Sequence, residues 1–397
     1  MIKVEESGYG HNPYVPEENV RLTHVGAGTP MGELLRRYWH PICMSSDLTD
    51  LPKFIKILDE ELVAYRDKSG KVGILGAHCC HRGSSLEYGR IEEHGIRCCY
   101  HGWYFNEKGQ CLEQPCEPND SPYKDEVRQP WYPAEEYRGL VFAYMGPLHK
   151  KPLLPHYDIL EDDDAEYLAY RNYSRGSVSA CNWLQLHENA ADPMHIYTLH
   201  GMNQSLFDFA DVMGVKPSFD FKHSDCHVSY VRTTDVEGGN RLIRTSTIFV
   251  PTAKCIPPPD VTGTDPSGET ERARMVGWWV PVDNEHTIGY HIERIDPGKR
   301  IFQPPDGEVI RDYEETQRVP DDWEAQVSQR PIARHALEHL ATSDRGVVMF
   351  RRLLNEAIDA IERGEDPPGT IRDPAKQVIV VPSGNEVIAL NPTDLVS

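Results

Sequence analysis

The chain has 397 residues and a formal net charge of −21 at pH 7, a length that allows about two domains with a sizeable core. The acidic balance argues against a nucleic-acid partner, because there is no basic excess to neutralise phosphates, and against an anionic membrane surface. No signal peptide and no membrane span of about 18 apolar residues is recognised. The ten cysteines are therefore expected as reduced thiols and metal ligands in a cytoplasmic protein.

The first part of the chain is predicted to form one short helix and then a small antiparallel β domain. The helix is predicted over residues 32–39, after Pro30. Short apolar runs between glycine-containing turns predict strands at residues 55–58, 62–65, 72–75 and 140–144. We expect residues 1–40 to pack on a second domain and residues 41–150 to form the β domain.

Two loops of this β domain each carry one cysteine and one histidine as candidate metal ligands. Cys79 and His81 form a C-x-H pair, and after a spacer of sixteen residues Cys98 and His101 form a C-x-x-H pair. The set suits a [2Fe–2S] cluster in which the thiolates hold one iron and the imidazoles the other. It also suits structural zinc, although a zinc finger would place its second pair as H-x3-5-H on a helix.

The two loops resemble those of the Rieske domain of ring-hydroxylating oxygenases, which usually read C-P-H-R-G and C-x-Y-H-G-W. This resemblance implies a Rieske [2Fe–2S] cluster held by the same four residues. The chain departs from the pattern at Cys80, where proline is usual, and at Cys99, an additional thiol. Neither is at a ligand position. A third loop, residues 112–118, is predicted either to cover the cluster or to form a plain proline-rich turn.

A rise in proline density between residues 147 and 155 marks a linker, and residues 151–397 are predicted to form the second domain. A helix is expected at residues 182–199. Long strands are expected at residues 228–233, 242–250, 276–282 and 287–294, and helices at residues 332–341 and 344–363. Ser343 is the predicted N-cap of the last helix.

The helix predicted at residues 182–199 carries the pattern D-x-x-H-x4-H, formed by Asp192, His195 and His200. Two histidines and one carboxylate make up the facial triad of non-haem Fe(II) oxygenases, which leaves positions open for O₂ and substrate. His195 and His200 diverge by roughly 140° on an ideal α-helix. They meet at one metal only if the helix is irregular, and Pro193 is a plausible cause.

This segment resembles the iron-binding segment of Rieske oxygenases, and the chain as a whole is most similar to their phthalate-dioxygenase-like group. The resemblance implies that His195 and His200 bind a mononuclear Fe(II). It assigns Asp192 to a bridge between His195 and the cluster ligand His101 of a neighbouring subunit.

The third iron ligand is expected far downstream. Counting back from residues 331–334, which resemble the family's segment after the ligand, leads to Asp322, with Asp321 as the alternative. Acidic residues at a helix N-terminus are also favoured by the helix dipole alone.

The resemblance implies an α+β fold, with a small antiparallel β Rieske domain and a helix-grip-like catalytic domain that has a curved antiparallel sheet and C-terminal helices. It implies the terminal oxygenase of a multicomponent system, which uses O₂ and electrons from a separate NAD(P)H-dependent flavin or iron–sulfur reductase. The expected reaction is hydroxylation or O-demethylation of an aromatic acid or a methoxylated aromatic compound, in a homotrimer or a multiple of it. A Rieske electron carrier and a zinc-stabilised interaction protein are the alternatives.

Two groups of residues are candidates for the substrate pocket. Arg232 and Arg244 lie on predicted strands, where they are expected either to pair with a substrate carboxylate or to occupy a solvated strand face. Phe207, Phe209 and Met213 are expected to line an apolar pocket or to belong to the core.

Overall fold

The structure is a computed structural model, and it describes residues 18–118, 121–172, 178–201, 215–236, 239–258, 270–297 and 311–390. Within these ranges no helix is both long and apolar enough to cross a membrane. The predicted pocket residues Phe207, Phe209 and Met213 lie outside the described residues.

The N-terminal helices are shorter than predicted. They are α1 (Val20–Thr23) and α2 (Pro30–Leu35). Thr29 caps α2 by accepting a hydrogen bond from the Gly32 N–H, and Pro30 occupies the first helical position, where its fixed φ suits a helix. The expected extension to residue 39 is wrong, because Trp39 starts a strand that pairs with Tyr144. Tertiary pairing overrides the local helical preference here.

Eleven strands follow between residues 39 and 144 in the part that the structure describes. They are β1 (Trp39–Met44), β2 (Lys53–Ile57), β3 (Glu60–Arg66), β4 (Val72–Gly76), β5 (Arg90–Glu92), β6 (Gly95–Arg97), β7 (Tyr104–Phe105), β8 (Cys111–Glu113), β9 (Trp131–Tyr132), β10 (Ala134–Tyr137) and β11 (Leu140–Tyr144). They form three antiparallel sheets in the orders β1-β11-β10, β2-β3-β4-β9 and β5-β6-β7-β8. A short helix, α3 (Tyr123–Glu126), precedes β9.

The chain enters and leaves the cluster-carrying region at adjacent points. Strand β1 pairs with β11 so that Met44 lies opposite Leu140. The Ser45 N–H then donates to the Gly139 carbonyl at 2.8 Å. The apolar side chains of β1 and β11 belong to the main core of the molecule, whereas a separate core that includes Val63, Phe105 and Trp103 surrounds Cys79 and Cys98.

The second half of the chain is organised around one large antiparallel sheet. The strands are β12 (His156–Tyr157), β13 (Glu166–Arg171), β14 (Ser218–His223), β15 (His227–Val236), β16 (Asn240–Phe249), β17 (Ala253–Cys255), β18 (Thr270–Arg272), β19 (Met275–Pro281), β20 (Thr287–Ile295), β21 (Val378–Ile379) and β22 (Gly384–Ala389). The main order is β13-β20-β19-β17-β16-β15-β14, with β22 paired to β16 and β18. Strands β12 and β21 pair separately.

The part of this half that the structure describes also contains helices. They are α4 (Trp183–Glu188), α5 (Pro193–His195), α6 (Tyr313–Arg318), α7 (Asp322–Val327) and α8 (Arg345–Glu362). The buried stripe of α8 includes Phe350, Leu354 and Ile358, which join the main core together with the sheet. The predicted α+β class, with an antiparallel β Rieske domain, is confirmed. The boundaries at residues 40 and 150 stay a prediction.

The region before α8 differs from the sequence prediction. Within residues 332–341 the longest helical segment is a 3₁₀ turn of three residues, His335–Leu337. The backbone is held by a tertiary contact, since the Ala333 N–H donates to Gln185 Oε1 at 2.9 Å. Ser343 is not the N-cap of α8, because Asp344 occupies that position and Ser343 lies inside a preceding 3₁₀ turn.

Candidate metal centres

The two Cys/His loops are built alike. Each is closed by a hydrogen bond from a glycine N–H to a cysteine carbonyl, from Gly83 to Cys79 at 2.8 Å and from Gly102 to Cys98 at 3.1 Å. The two glycines have φ values of +75° and +74°, which side chains with a Cβ adopt only at a cost. The glycines therefore let both chains turn tightly around the cysteines.

The loops bring like ligands together. The thiols of Cys79 and Cys98 are buried and hydrogen-bonded to each other. The imidazole rings of His81 and His101 meet edge to face with their centroids 4.5 Å apart. Trp103 stacks on His81 at 4.3 Å. The hydrogen bond that Cys98 donates to Cys79 raises the pKa of the Cys98 thiol, so two thiolates at this separation need a cation beside them.

This pairing fits a two-iron cluster better than a single zinc ion. Zinc bonds of about 2.0–2.3 Å would hold all four ligand atoms within about 4 Å of one another. In the part of the chain that the structure describes, three or more ligand atoms lie within 4.8 Å of one another only at His195, His200 and Asp322. The four loop residues therefore do not meet this criterion for a single metal ion. The two thiols and the two imidazoles thus form separate pairs, as the two irons of a Rieske cluster require.

Residues 112–118 lie against the second Cys/His loop. A Cβ on Gly102 would come within 3.2 Å of Pro115 Cγ, and Cys116 Sγ donates to the His101 carbonyl at 3.7 Å. Of the two predictions for this segment, the contacts favour a cover over the cluster loops.

Sequence reasoning did not identify two supports of these loops. The Arg97 guanidinium donates to the Gly102 carbonyl at 2.8 Å and forms an ion pair with Glu92 at 2.7 Å. The Cys80 N–H donates to Gln129 Oε1 at 2.7 Å, a bond that the usual proline lacks the hydrogen to make. The departure at Cys80 therefore adds a tie between the first loop and the rest of the domain.

The segment with the second set of candidate ligands is an interrupted helix. After α4, a 3₁₀ turn covers Asn189–Ala191, and Asp192 leaves the helical region with φ −102° and ψ 104°. Asp192 caps α5 by accepting from the Met194 N–H at 2.8 Å, and Pro193 is the first residue of α5. A π-helical turn then covers Ile196–His200. Because a π turn closes between residues five apart, it removes the divergence expected between His195 and His200.

The two histidines converge on a carboxylate from α7. Asp322 Oδ1 lies 3.4 Å from His200 Nε2 and 3.9 Å from His195 Nε2. His195 Nδ1 donates to the backbone carbonyl of Asp192 at 2.5 Å. This bond keeps the proton on Nδ1 and leaves the Nε2 lone pair facing Asp322, the tautomer that a metal ligand needs.

Electrostatics at this group suit a bound cation. Burial raises the pKa of the Asp322 carboxyl, but hydrogen bonding to His200 and the charge of His195 hold it well below its usual range. The alternative residue, Asp321, has its carboxylate engaged as the N-cap of α7, where it accepts from the Asp322 N–H at 2.8 Å. The geometry therefore brings Asp322 to the two histidines, as the downstream count predicts, and leaves Asp321 as a helix cap.

Asp192 Oδ2 lies 3.9 Å from His195 Nδ1, and its side chain is partly exposed. A contact with a second subunit is not part of this single-chain structure, so its bridging role stays a prediction.

The predicted substrate-binding arginines are engaged elsewhere. Arg232 and Arg244 are only 1% and 5% exposed, so the alternative of a solvated strand face is wrong. Arg244 donates to the carbonyls of Pro258 and Pro257 at 2.6 and 2.5 Å, and Arg232 donates to the Val215 carbonyl at 3.2 Å. Backbone carbonyls therefore hold both guanidinium groups within the described residues.

A buried ion pair ties the ligand-bearing helix to α8. Arg351 binds both carboxylate oxygens of Glu188, with Nε–Oε1 at 2.5 Å and Nη2–Oε2 at 2.7 Å, and it also pairs with Glu338. Burial lowers the pKa of the Arg351 guanidinium, but its bonds to the two carboxylates raise it overall. Glu188 is the last residue of α4, so this contact fixes the start of the turn that leads to Asp192.

Comparison with known proteins agrees with the fold and with the presence of a Rieske domain. A family model described as the Rieske [2Fe-2S] domain matches residues 38–133. The chain is 41% identical to the phenoxybenzoate dioxygenase subunit alpha of Ectopseudomonas oleovorans over 394 residues, which cover 96% of this chain and 93% of that protein. It is also 41% identical to the tert-butanol monooxygenase / tert-amyl alcohol desaturase oxygenase subunit of Aquincola tertiaricarbonis, over 90% of this chain and 79% of that protein.

The chain is also similar, at lower sequence identity, to an O-demethylase subunit and to a solved structure. The 5,5'-dehydrodivanillate O-demethylase oxygenase subunit of Sphingobium sp. is 36% identical over 90% of this chain and 84% of its own length. The fold is similar to that of Pseudomonas putida CBB5 NdmA, with a TM-score of 0.63 and 19% identity over 83% of this chain and 93% of that one.

Together these findings define an oxygenase with two iron centres. The chain belongs to the oxygenase (alpha) subunits of Rieske non-haem iron oxygenases, and it resembles their phthalate-type members. It is the terminal oxygenase component of a multicomponent system with a [2Fe–2S] cluster and a mononuclear iron. A role as a pure Rieske electron carrier is thereby set aside, as is the zinc-stabilised interaction protein.

Proposed function

We propose that this oxygenase hydroxylates or O-demethylates an aromatic acid or a methoxylated aromatic compound. The observation that carries this proposal is the convergence of His195 Nε2, His200 Nε2 and Asp322 Oδ1 within 4.8 Å on a chain that also has the Rieske loops. The named relatives at 41% and 36% identity, a phenoxybenzoate dioxygenase and a dehydrodivanillate O-demethylase, support the aromatic substrate class.

In this proposal His195, His200 and Asp322 hold the mononuclear iron. Cys79 and Cys98 with His81 and His101 hold the cluster. When bound, the cluster supplies single electrons and the mononuclear iron supplies O₂ activation.

The protein's own contribution at the mononuclear site is orientation. The Asp192 carbonyl holds the His195 ring by its Nδ1 proton. The N-cap of α7 fixes the backbone that presents Asp322. Leu186 of α4, Val327 of α7 and Trp279 of β19 pack together, so α7, which carries Asp322, is held against α4 and the sheet.

We further propose that Asp192 connects the two centres across a subunit boundary, in a homotrimer or a multiple of it. Its backbone carbonyl already accepts the Nδ1 proton of His195, and its carboxylate would accept a hydrogen bond from the partner subunit's His101, so that one residue fixes both rings for electron transfer. Its position beside His195 and its partial exposure support this arrangement. Electrons come from a separate NAD(P)H-dependent flavin or iron–sulfur reductase.

One pair of variants tests the iron ligand. Asp322→Ala should lose the mononuclear iron and all product formation but keep the cluster absorbance, because Asp322 is not one of the four proposed cluster ligands. Asp321→Ala is the matched control and should keep its iron, with only the stability loss of a helix cap, about 1 kcal/mol. For each variant, the iron and acid-labile sulfide content per chain shows whether the mononuclear iron and the cluster are present. Loss of iron from Asp321→Ala alone would reverse the assignment.

A second variant tests the bridge. Asp192→Asn should keep both iron centres but turn over almost no substrate, because a neutral amide replaces the charged acceptor for the proton of the partner subunit's His101. Metal content and stopped-flow reoxidation of the reduced cluster by O₂ and substrate measure this. Full activity would remove the bridging role.

The reaction itself is tested by O₂-dependent conversion with a surrogate reductase and NADH, followed by product mass. The compounds are phenoxybenzoate, a methoxylated benzoate and an unsubstituted arene. Two added hydroxyl groups indicate a dioxygenase, one added oxygen a monooxygenase, and formaldehyde release an O-demethylase. If no aromatic compound is converted while tert-butanol is, the substrate class is wrong. That aliphatic alcohol is the second candidate, because a tert-butanol monooxygenase subunit has the same 41% identity.

A further inference from the structure

Lys254 is a cation on the face of the large sheet that packs against the iron-binding helices. It is the middle residue of β17 and lies directly opposite Gly277, which lies opposite His291. Directly paired residues of antiparallel strands project from the same face, and Trp279, two residues after Gly277, shares that face. Trp279 packs against Leu186 and Val327, residues of α4 and α7.

The sequence makes room for the lysine side chain at this point. A Cβ on Gly277 would lie 3.3 Å from Lys254 Cε and 2.6 Å from His291 Cδ2. Any residue other than glycine would therefore push against both side chains. With glycine there, the Lys254 Nζ reaches a position 4.4 Å from the centroid of the Trp279 ring, a distance at which the ring stabilises a cation.

The ammonium group has no salt bridge or hydrogen bond within the part of the chain that the structure describes. The carboxylate that acts on it electrostatically is Asp322, which is committed to His195 and His200. The nearby imidazoles of His187 and His291 offer no negative charge, and burial lowers their pKa to about 3, so both are neutral. Burial lowers the pKa of Lys254 to about 8, and the negative charge of Asp322 opposes this shift, so the ammonium group is still charged at pH 7. Lys254 is thus a cation near the iron site that has no carboxylate of its own among the described residues.

We propose that Lys254 binds the carboxylate of an aromatic acid substrate and so orients its ring at the mononuclear site. The inference rests on the proposed oxygenase function and specifies its substrate class as anionic. Lysine suits the role because its single ammonium group is a point charge on a flexible stem. The Trp279 ring beneath it is itself buried and holds the ammonium group in place by the cation–π contact.

Charge balance supports an anionic ligand. A site of two neutral imidazoles, one carboxylate and a divalent iron carries one net positive charge, and Lys254 adds a second. A carboxylate bound at the lysine brings this total down in a partly buried region where unpaired charge is costly. A neutral substrate would leave Lys254 without a counter-ion. The two arginines on neighbouring strands do not compete for this role, because backbone carbonyls already hold them.

The test compares an acid with its neutral ester on the iron-loaded oxygenase. Phenoxybenzoate and its methyl ester are titrated by calorimetry against the wild type, Lys254→Met, Lys254→Arg and Lys222→Met. Methionine keeps most of the length of lysine and removes the charge. Lys222 is a solvent-exposed lysine on β14 of the same sheet and serves as the matched control.

Loss of a charged hydrogen bond should weaken binding of the acid by about ten- to a hundredfold in Lys254→Met, with little change for the ester. Lys254→Arg should retain part of the preference for the acid, and Lys222→Met should match the wild type. Equal affinity of wild type and Lys254→Met for the acid overturns the proposal, as does a wild type that binds the ester as well as the acid. An equal loss for acid and ester also overturns it, because that result marks a role in packing.

Failure of the oxygenase function gives a different result. In that case the wild type adds no oxygen to any compound with reductase, NADH and O₂, whatever the binding of the acid to Lys254.

Discussion

Removal of the Arg351 side chain should destabilise the protein more than any neighbouring charge deletion on α8. Arg351 and Glu188 have side chains that are only 15% and 9% exposed. In Arg351→Met the Glu188 carboxylate keeps its buried position without its two charged hydrogen bonds. Loss of one partner of a buried ion pair costs about 3–5 kcal/mol, so a decrease of this size in the free energy of unfolding is expected.

Arg352 provides a matched control on the next position of the same helix. Its side chain is 80% exposed and pairs with Glu356 at 2.7 Å, and such surface pairs contribute about 0.2–1 kcal/mol. Arg352→Met should therefore change the free energy of unfolding by less than about 1 kcal/mol. The double variant Glu188→Gln/Arg351→Met should recover part of the loss, because the uncompensated charge is gone.

Urea unfolding followed by tryptophan fluorescence and circular dichroism measures these differences, provided that the two probes give one transition. If Arg351→Met and Arg352→Met shift the midpoint equally, the buried pair does not stabilise the fold as described. A double variant that is no more stable than Arg351→Met would show that the cost comes from lost packing of the arginine stem.

Two further predictions concern the Rieske domain. Gly95→Ala should lower the thermal midpoint of cluster bleaching by more than Gly70→Ala. Both glycines have a positive φ (146° and 93°), but only a Cβ on Gly95 would clash, at 1.9 Å from the Phe105 carbonyl oxygen. Equal shifts of the midpoint would rule out this clash. Arg97 holds the pKa of Glu92 at about 2, below its usual 4.5, so the ion pair stabilises the fold above about pH 4.5 and this contribution is lost as the pH falls toward 2. The deficit of Glu92→Gln in thermal midpoint should therefore be larger at pH 7 than at pH 3, and a pH-independent deficit would contradict this.

The fold and the candidate ligands were predictable where the signal is local. Cys79 to His101 and Asp192 to His200 each fall within one short stretch, so their spacing makes both sets candidate metal ligands, and the family resemblance implies which metal centre each set holds. The long strands of the large sheet are visible as alternating apolar runs, and they differ from the predicted bounds by few residues. Asp322 required the family resemblance, because nothing local distinguishes it from Asp321; the structure separates the two by giving Asp321 the capping role.

What escaped prediction depends on contacts between distant parts of the chain. The helix expected at residues 332–341 does not form beyond the turn His335–Leu337, and its first residues are bonded to the distant Gln185. Arg351 and Glu188 are 163 residues apart, and neither looks unusual in its own segment. Lys254 lies in a short strand with no motif, and its position beside the iron site follows only from the pairing of β17 with β19.

Met44 is paired with Leu140 and Ser45 with Gly139, so the segment that carries the cluster ligands begins and ends at neighbouring positions of one strand pair. The chain enters this segment on one strand and leaves it on the hydrogen-bonded neighbour, so the segment has closed ends. Because the cost of closing a loop grows only slowly with its length, such a segment can change in size without opening the strand pair that anchors it. Ile57, Leu62 and Ile74 within the segment still belong to the main core, and the Leu58 N–H donates to the Pro281 carbonyl at 3.0 Å. Residues 45–139 could therefore be exchanged for the corresponding part of a relative only if these contacts are kept, and the exchange would then give one catalytic site a cluster of different potential.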